Sequence, residues 1–312
     1  MNGWLKQRLL VSLTALLLVF LITFLLIRFL PGDPFLTEQG LPEKSHQALR
    51  DHWKLDDAWY QQLFSHVRSI ISFDFGTSIT YPDRTVKSII WQALPISIQL
   101  GMSSVCLALF LGVSSAVLTS IYDYQTHRVL FFLFTTLLLS MPTFLVAALL
   151  QYFVGTEWGW LPVARWGSWE QLILPSLSLA LGTGAFLGNL LYVRIQKELD
   201  EPYVRFAEAK GLSHAAIILK HVLRNAIIPL LAYLGPFIAN VATGSFIIEK
   251  IFAIPGLGYW FVQSVGNRDY PLIVALVLLY CSVLLVCVFL SDLAIAWADP
   301  RQRTQLYKKA AA

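Results

Sequence analysis

Six stretches of the chain stay apolar for as long as a helix needs to cross a hydrocarbon layer, roughly 20 residues for about 30 Å. They run approximately from Leu9 to Leu30, Ile96 to Ile121, Val129 to Val154, Leu172 to Val193, Ala226 to Ile248 and Leu272 to Trp297. A backbone inside a bilayer must satisfy its own N–H and C=O groups, so runs of this length predict α-helices. The expected fold is an all-α polytopic membrane protein with six transmembrane helices. Lys and Arg in the short connections set its orientation. With Lys6 and Arg8 inside, the same side holds Arg128, Arg194, Lys197, Arg205, Lys210, Lys220, Arg224, Arg301, Arg303, Lys308 and Lys309. The short outer loops hold only Arg165, Lys250 and Arg268. Both termini are therefore expected to be cytoplasmic.

The pattern divides the chain. Residues 1–30 read as a retained N-terminal anchor, longer than a signal h-region and lacking a small-x-small cleavage site before Pro31-Gly32-Asp33. Residues 31–95 form an extracytoplasmic segment. In it, Trp59, Leu63, Val67 and Ile70 mark one apolar stripe on a helix starting near Asp56 or Asp57, either a packed outer cap or a helix on the bilayer surface. Residues 96–300 hold a five-helix core and 301–312 a cytoplasmic tail. Pro95, Pro142, Pro175, Pro229, Pro236 and Pro271 sit in or beside the spans, where they kink helices. Gly184 and Gly188, one turn apart, allow close approach of a neighbouring helix. Packing within the chain is the default reading, and contact with another subunit the sharper one.

Composition narrows the function. Charged residues make up 13% of the 312, against roughly 25% in soluble domains, so a water-soluble globule is excluded. A net charge of +4, scattered along the chain, indicates no nucleic-acid partner. Cys106, Cys281 and Cys287 all lie within apolar runs and suggest neither a disulfide framework nor a metal site. The spans contain almost no ionisable groups: Arg28 and Asp292 lie near span ends, where snorkelling or capping suffices. A carrier drawing on a proton or ion gradient would need a buried acidic or histidine network, so that class is disfavoured. No phosphate-binding loop, His-Glu-x-x-His pair or Gly-x-Ser-x-Gly elbow occurs, so no catalytic residue, cofactor or metal is expected in this chain. It reads as a conduit powered from elsewhere.

The connection between the fourth and fifth spans, residues 198–225, is the most informative. Pro202 suits a first helical position after Asp200 and Glu201, and Gly211 can end that helix in a left-handed conformation. Ser213 offers an N-cap for a second helix, with Leu212 placed to staple against Ile217. These signals predict a helix-turn-helix elbow on the cytoplasmic face. Ile217, Ile218 and Leu219 form an apolar patch flanked by Lys210, His214, Lys220 and His221, suited to a partner's groove. A basic loop lying on anionic headgroups is the competing reading.

The residues of this loop, Tyr203-Val204-Arg205, Ala207, Ala209-Lys210-Gly211-Leu212-Ser213, His221, Leu223-Arg224-Asn225-Ala226 and Pro229, resemble the permease loop of ATP-binding-cassette importers of the dipeptide, oligopeptide and nickel branch. Gly244-Ser245, Glu249, Phe252, Pro255-Gly256-Leu257-Gly258 and Arg268-Asp269-Tyr270-Pro271 fit the same branch, as do Asp299-Pro300-Arg301, Gly32-Asp33-Pro34 and Phe75-Gly76-x-Ser78. The resemblance implies a bacterial inner-membrane subunit that pairs with a second homologous permease in the lipid bilayer. Two ATPase subunits, which bind the ATP and Mg, would dock on the inner loops, and an extracytoplasmic binding protein would deliver substrate. Ser213 to Val222 would be the coupling helix. The docking elbow would comprise Arg205, Glu208, Ala209, Lys210, Gly211, Leu212, Ser213, His214, Ile217, His221 and Arg224. Arg205 stands where the broader pattern has glutamate, Phe206 replaces a commonly small residue, and Glu208 stands where the branch often has a base; these departures suggest a dedicated ATPase.

The block before the last span admits two readings. Glu249-Lys250 and Arg268-Asp269 can be surface charges flanking a turn-rich loop; alternatively, Glu249, Phe252, Pro255, Gly256, Gly258 and Asp269 belong to an outer loop lining the mouth where the binding protein docks. Cargo is expected to be di- or oligopeptides, with nickel or another small solute as the alternative. A membrane scaffold without transport is the reading from a different class.

Overall fold

The computed structural model describes residues 2–29, 58–72, 74–122 and 124–298. Among them the regular elements are helices: α1 (Asn2–Phe29), α2 (Trp59–Ser72), α3 (Val86–Ile121), α4 (Gln125–Ser140), α5 (Thr143–Glu157, its last seven residues π-helical), α6 (Trp169–Leu199) and α7 (Pro202–Ala209). They continue with α8 (214–226, with a π-helical stretch at Ile218–Val222), α9 (Ile228–Ala242), α10 (Phe246–Ile251), α11 (Leu257–Gly266) and α12 (Tyr270–Ala298). A β-bridge joins Thr77 and Thr85.

Among the described residues, five stretches are single helices, or one briefly interrupted helix, long and apolar enough to cross a bilayer: Leu10–Ile27, Val86–Ile121, Trp169–Leu199, Ile228–Ile251 and Tyr270–Ala294. The third apolar run, in which Pro142 was expected to kink a single span, is broken outright. It breaks at Met141–Pro142, and α4 and α5 meet there at 103°. Proline lacks the N–H that would continue the ladder and drives the preceding residue out of the helical region; Met141 is extended, with ψ 128°. Continuous apolarity conceals this bend because either geometry stays out of water. The second span begins earlier than its apolar run, at Val86. Thr85 caps it, its hydroxyl accepting the Ser88 N–H at 3.1 Å. A capping box formed by Ser168 and Gln171 starts α6.

The centre of the molecule is α3 packed along α6. A Cβ added at Gly112 would lie 2.6 Å from the Gly184 carbonyl, and one at Gly188 would lie 3.1 Å from the Gly112 carbonyl. The glycine pair therefore closes against this chain's own helix, as the packing reading expects, and the sharper reading of a contact with another subunit is not needed. Without a strong hydrophobic force between helices in lipid, such close van der Waals contact is what holds spans together. α4 lies on α6, α9 sits between α12 and α3, and α1 lies against α12. Helix α2 carries three of the four expected stripe positions: Leu63, Val67 and Ile70 are half-buried while Trp59 is exposed, and the His66 ring lies 5.9 Å from Phe24 of α1. Burial lowers the His66 pKa, which keeps the ring neutral at pH 7. Asp56 and Asp57, where the helix was expected to start, lie outside the described residues, as do Asp299-Pro300-Arg301 and the tail.

Candidate functional site

The elbow forms as its capping residues dictate. Pro202 takes the first turn of α7, and the helix stops before Gly211, whose φ of +78° is the left-handed conformation glycine adopts without penalty. The Gly211 N–H donates to the Glu208 carbonyl at 2.8 Å, and the Leu212 N–H donates to Ala207 at 3.3 Å. Ser213 caps α8 by accepting the Ala216 N–H at 3.4 Å.

The apolar face of α8 points the other way from the expected one. Ile217 and Ile218 are buried, and with Val222 and Ala226 they face into the molecule. Ile217, Val222 and Ala226 join Ala116, Leu191 and Ile195 of the spans and Val204 of α7 in one core. Ile218, Val222 and Ala226 recur every four residues and share one helix face, and the spans supply more apolar surface than an external groove would. Leu212, expected to close over Ile217, is 39% exposed. The exposed apolar set on the elbow is Phe206, Leu212 and Leu219, with the Lys210 ammonium 4.4 Å from the Phe206 ring centre. Around it Arg205, Glu208, Ala209, Lys210, Gly211, Ser213, His214, His221 and Arg224 are exposed. His214 still reaches back, its Nε2 3.1 Å from the Ser120 carbonyl at the end of α3.

A polar triad that sequence reading left without a role ties the elbow to α6. The Tyr203 hydroxyl donates to Glu198 Oε2 at 2.7 Å, and the Asn225 amide lies 3.4 Å from both. One carboxylate thus joins the end of α6, the start of α7 and the end of α8. Burial, reinforced by Glu198, pushes the Tyr203 pKa up to about 12, so the phenol stays a donor at neutral pH.

The opposite end of the molecule holds a second constructed feature. Beyond α9 the chain unwinds at Thr243-Gly244-Ser245, with Gly244 at φ +96°, and resumes as α10. Glu249 on α10 is fully buried. Its carboxylate accepts the Ser97 hydroxyl at 2.8 Å and the Tyr259 N–H at 2.8 Å, and Ser97 accepts the Leu257 N–H at 2.8 Å. Glycines make room for it: a Cβ at Gly244 or Gly256 would lie 2.6 Å from a Glu249 oxygen, and one at Gly258 3.0 Å. Asp269 is also fully buried. It accepts the Ser78 hydroxyl, the Ile79 N–H at 3.2 Å and the Leu272 N–H at 3.4 Å, fastening the 77–85 turn to the start of α12.

Glu249 and Asp269 are thus not surface charges. Phe252, Gly256 and Gly258 are buried with them, and of the six residues singled out in this loop only Pro255 is exposed. The five buried residues shape the loop from within. Burial of a carboxylate here requires three glycines within nine residues of it, which read in sequence only as turn formers, and Ser97, which lies 152 residues away.

Comparison with known proteins bears on the whole chain. Residues 108–304 match the family described as binding-protein-dependent transport system inner membrane component. A dipeptide transport system permease protein of Bacillus subtilis is 37% identical over 94% of this chain and 95% of its own length. An oligopeptide transport system permease protein of Haemophilus influenzae is 34% identical over 95% of this chain and 98% of its own. Among solved structures, a MetNI methionine ABC transporter in an inward-facing conformation aligns with a TM-score of 0.54 at 15% identity, covering 68% of this chain and 96% of that one. An amino acid ABC transporter crystallised with histidines aligns with a TM-score of 0.53 at 18% identity, covering 67% and 93%.

Proposed function

Because the chain belongs to the family of binding-protein-dependent transport system inner membrane components, we propose that it is the pore-forming permease subunit of an ATP-driven importer of di- or oligopeptides. The observation that carries this reading is near-full-length similarity to peptide permeases in a multi-pass helical chain. The chain itself is a transport subunit of the inner membrane. Its partners in this reading are a second homologous permease, two ATPase subunits that bind ATP and Mg, and an extracytoplasmic binding protein. Both termini face the cytoplasm.

The elbow is the ATPase-docking surface. Phe206, Leu212 and Leu219 supply an apolar contact, and the surrounding charges set its register. Gly211 is the pivot. The triad of Tyr203, Glu198 and Asn225 makes α7 and α8 move with α6, so displacement by a docked ATPase reaches the spans as a rigid-body shift between packed arrangements. The loop braced by Glu249 and Asp269 presents Pro255 and its neighbours to the binding protein.

Purification of the chain with the products of its neighbouring genes tests the proposal. The expected result is a four-subunit complex whose ATP hydrolysis rises when binding protein and peptide are added, and whose vesicles accumulate labelled dipeptide in competition with unlabelled dipeptides but not with nickel. A chain that purifies without ATPases and transports nothing would be a scaffold.

A further inference from the structure

Two helix breaks within the apolar spans converge on one cleft. The first is the bend at Met141–Pro142, after which Thr143 begins α5; the second is the unwound Thr243-Gly244-Ser245 between α9 and α10. Between them, beside Thr183 in the middle of the 31-residue α6, lies a half-open cleft of about 470 Å³. Irregular backbone is tolerated inside a bilayer only where protein covers it or a water-filled cavity receives it.

The side chains of the cleft are unusual for these spans. Thr143, Thr183, Tyr233, Asn240 and Ser245 line it, and none makes a side-chain hydrogen bond to another described residue. Neighbouring hydroxyls behave otherwise: Ser104, Ser178 and Thr243 each return theirs to the carbonyl four residues earlier, at 2.7, 2.7 and 2.8 Å. The five free groups are all neutral, and all both donate and accept. The remaining wall is apolar, with Phe144, Phe186 and Phe237 prominent. Among the described residues, no Asp, Glu, Lys, Arg, His or Cys lines it.

We propose that this cleft is a way station that holds the peptide bonds of a substrate in transit, and reads neither its charged termini nor its side chains. The inference rests on the peptide reading given above and adds the site and its chemistry. A peptide unit presents one N–H donor and one C=O acceptor, which hydroxyls and a carboxamide satisfy together, whereas a charged terminus or metal ion would find no counter-charge. Aromatic and aliphatic walls accept varied side chains without selecting among them. Neutral contacts also hold weakly enough for release, as a transport path requires.

The test uses the assembled transporter in vesicles with saturating binding protein, and two probes: labelled trialanine and trialanine methylated on its central amide nitrogen. Thr183→Val and Asn240→Leu remove the groups, and Thr183→Ser restores a hydroxyl; yield of assembled complex checks folding. The wild type should import trialanine about tenfold faster than the methylated probe, the factor for one lost hydrogen bond. Thr183→Val and Asn240→Leu should slow trialanine about tenfold and bring the two probes to within about twofold of each other, and Thr183→Ser should restore the preference. Unchanged discrimination by both variants, or a loss confined to assembly yield with normal import by what assembles, would mark the cleft as a subunit contact and overturn this inference alone. Failure of the wild type to import any peptide would overturn the functional reading with it.

Discussion

The Glu249 carboxylate accepts a 2.8 Å hydrogen bond from the hydroxyl of Ser97, 152 residues away in sequence. Ser97 in turn accepts the Leu257 N–H, so one hydroxyl holds both sides of the loop between α10 and α11. Replacing Ser97 by alanine leaves a buried carboxylate oxygen and a buried N–H short of a partner, at a cost on the order of 2 kcal/mol. Ser97→Ala should therefore lower the thermal midpoint of the purified assembly, and Ser97→Thr should recover most of the loss. Equal midpoints for all three proteins would mean that the bond contributes nothing.

The glycines around this carboxylate differ sharply from Gly266. A Cβ at Gly256 would lie 2.5 Å from Ser97 Oγ, whereas one at Gly266 meets nothing within 4 Å. Gly256→Ala should displace Glu249 and abolish uptake that depends on the binding protein while leaving ATPase assembly intact; Gly266→Ala should transport normally. The same uptake from both variants would contradict the account of the loop.

Helix packing makes a parallel prediction. Gly112→Ala places a methyl 2.6 Å from the Gly184 carbonyl, while Gly182→Ala places one 3.9 Å from its nearest neighbour, Leu138 O. Overpacking at Gly112 should cost about 1–3 kcal/mol and reduce the yield of folded chain in detergent. Gel filtration in detergent reads that yield, and in it Gly182→Ala should match the wild type.

How much of this was legible from sequence follows from how local each signal is. Pro202, Gly211 and Ser213 act on their own neighbours, and the elbow they predict is present. The other five spans are also legible, apart from the early start of the second at Val86, because apolarity over 20 residues needs no tertiary knowledge; the third run shows its apolarity but not its 103° bend. The inward turn of Ile217 and Ile218 depends on what the ends of α3 and α6 offer, and the burial of Glu249 depends on Gly244, Gly256 and Gly258 assembling around it. The cleft was invisible because Thr183 and Asn240 look like ordinary polar residues in apolar helices until the structure shows their side chains unpaired.

Tyr203 gives a pH prediction. Its pKa is raised from 10 to about 12, so the folded elbow favours the protonated phenol. The stabilisation is fully present below pH 10 and is lost as pH rises through 12. Tyr203→Phe should lower the thermal midpoint by an amount equivalent to about 1 kcal/mol. That deficit should stay constant from pH 6 to 9 and shrink above 10; a deficit that grows with alkalinity would contradict the assignment.

The central claim is that work enters this chain at the elbow, and the ratio of peptide imported to ATP hydrolysed tests it most directly. Gly211 sits at φ +78°, and its N–H bonds the Glu208 carbonyl at 2.8 Å. Proline permits neither, because its φ is fixed near −65° and it has no N–H. In reconstituted vesicles, Gly211→Pro should keep hydrolysing ATP while the import ratio falls at least tenfold, and Gly211→Ala should lose far less. Import by Gly211→Pro at the wild-type ratio would show that the elbow is not where hydrolysis is coupled to transport.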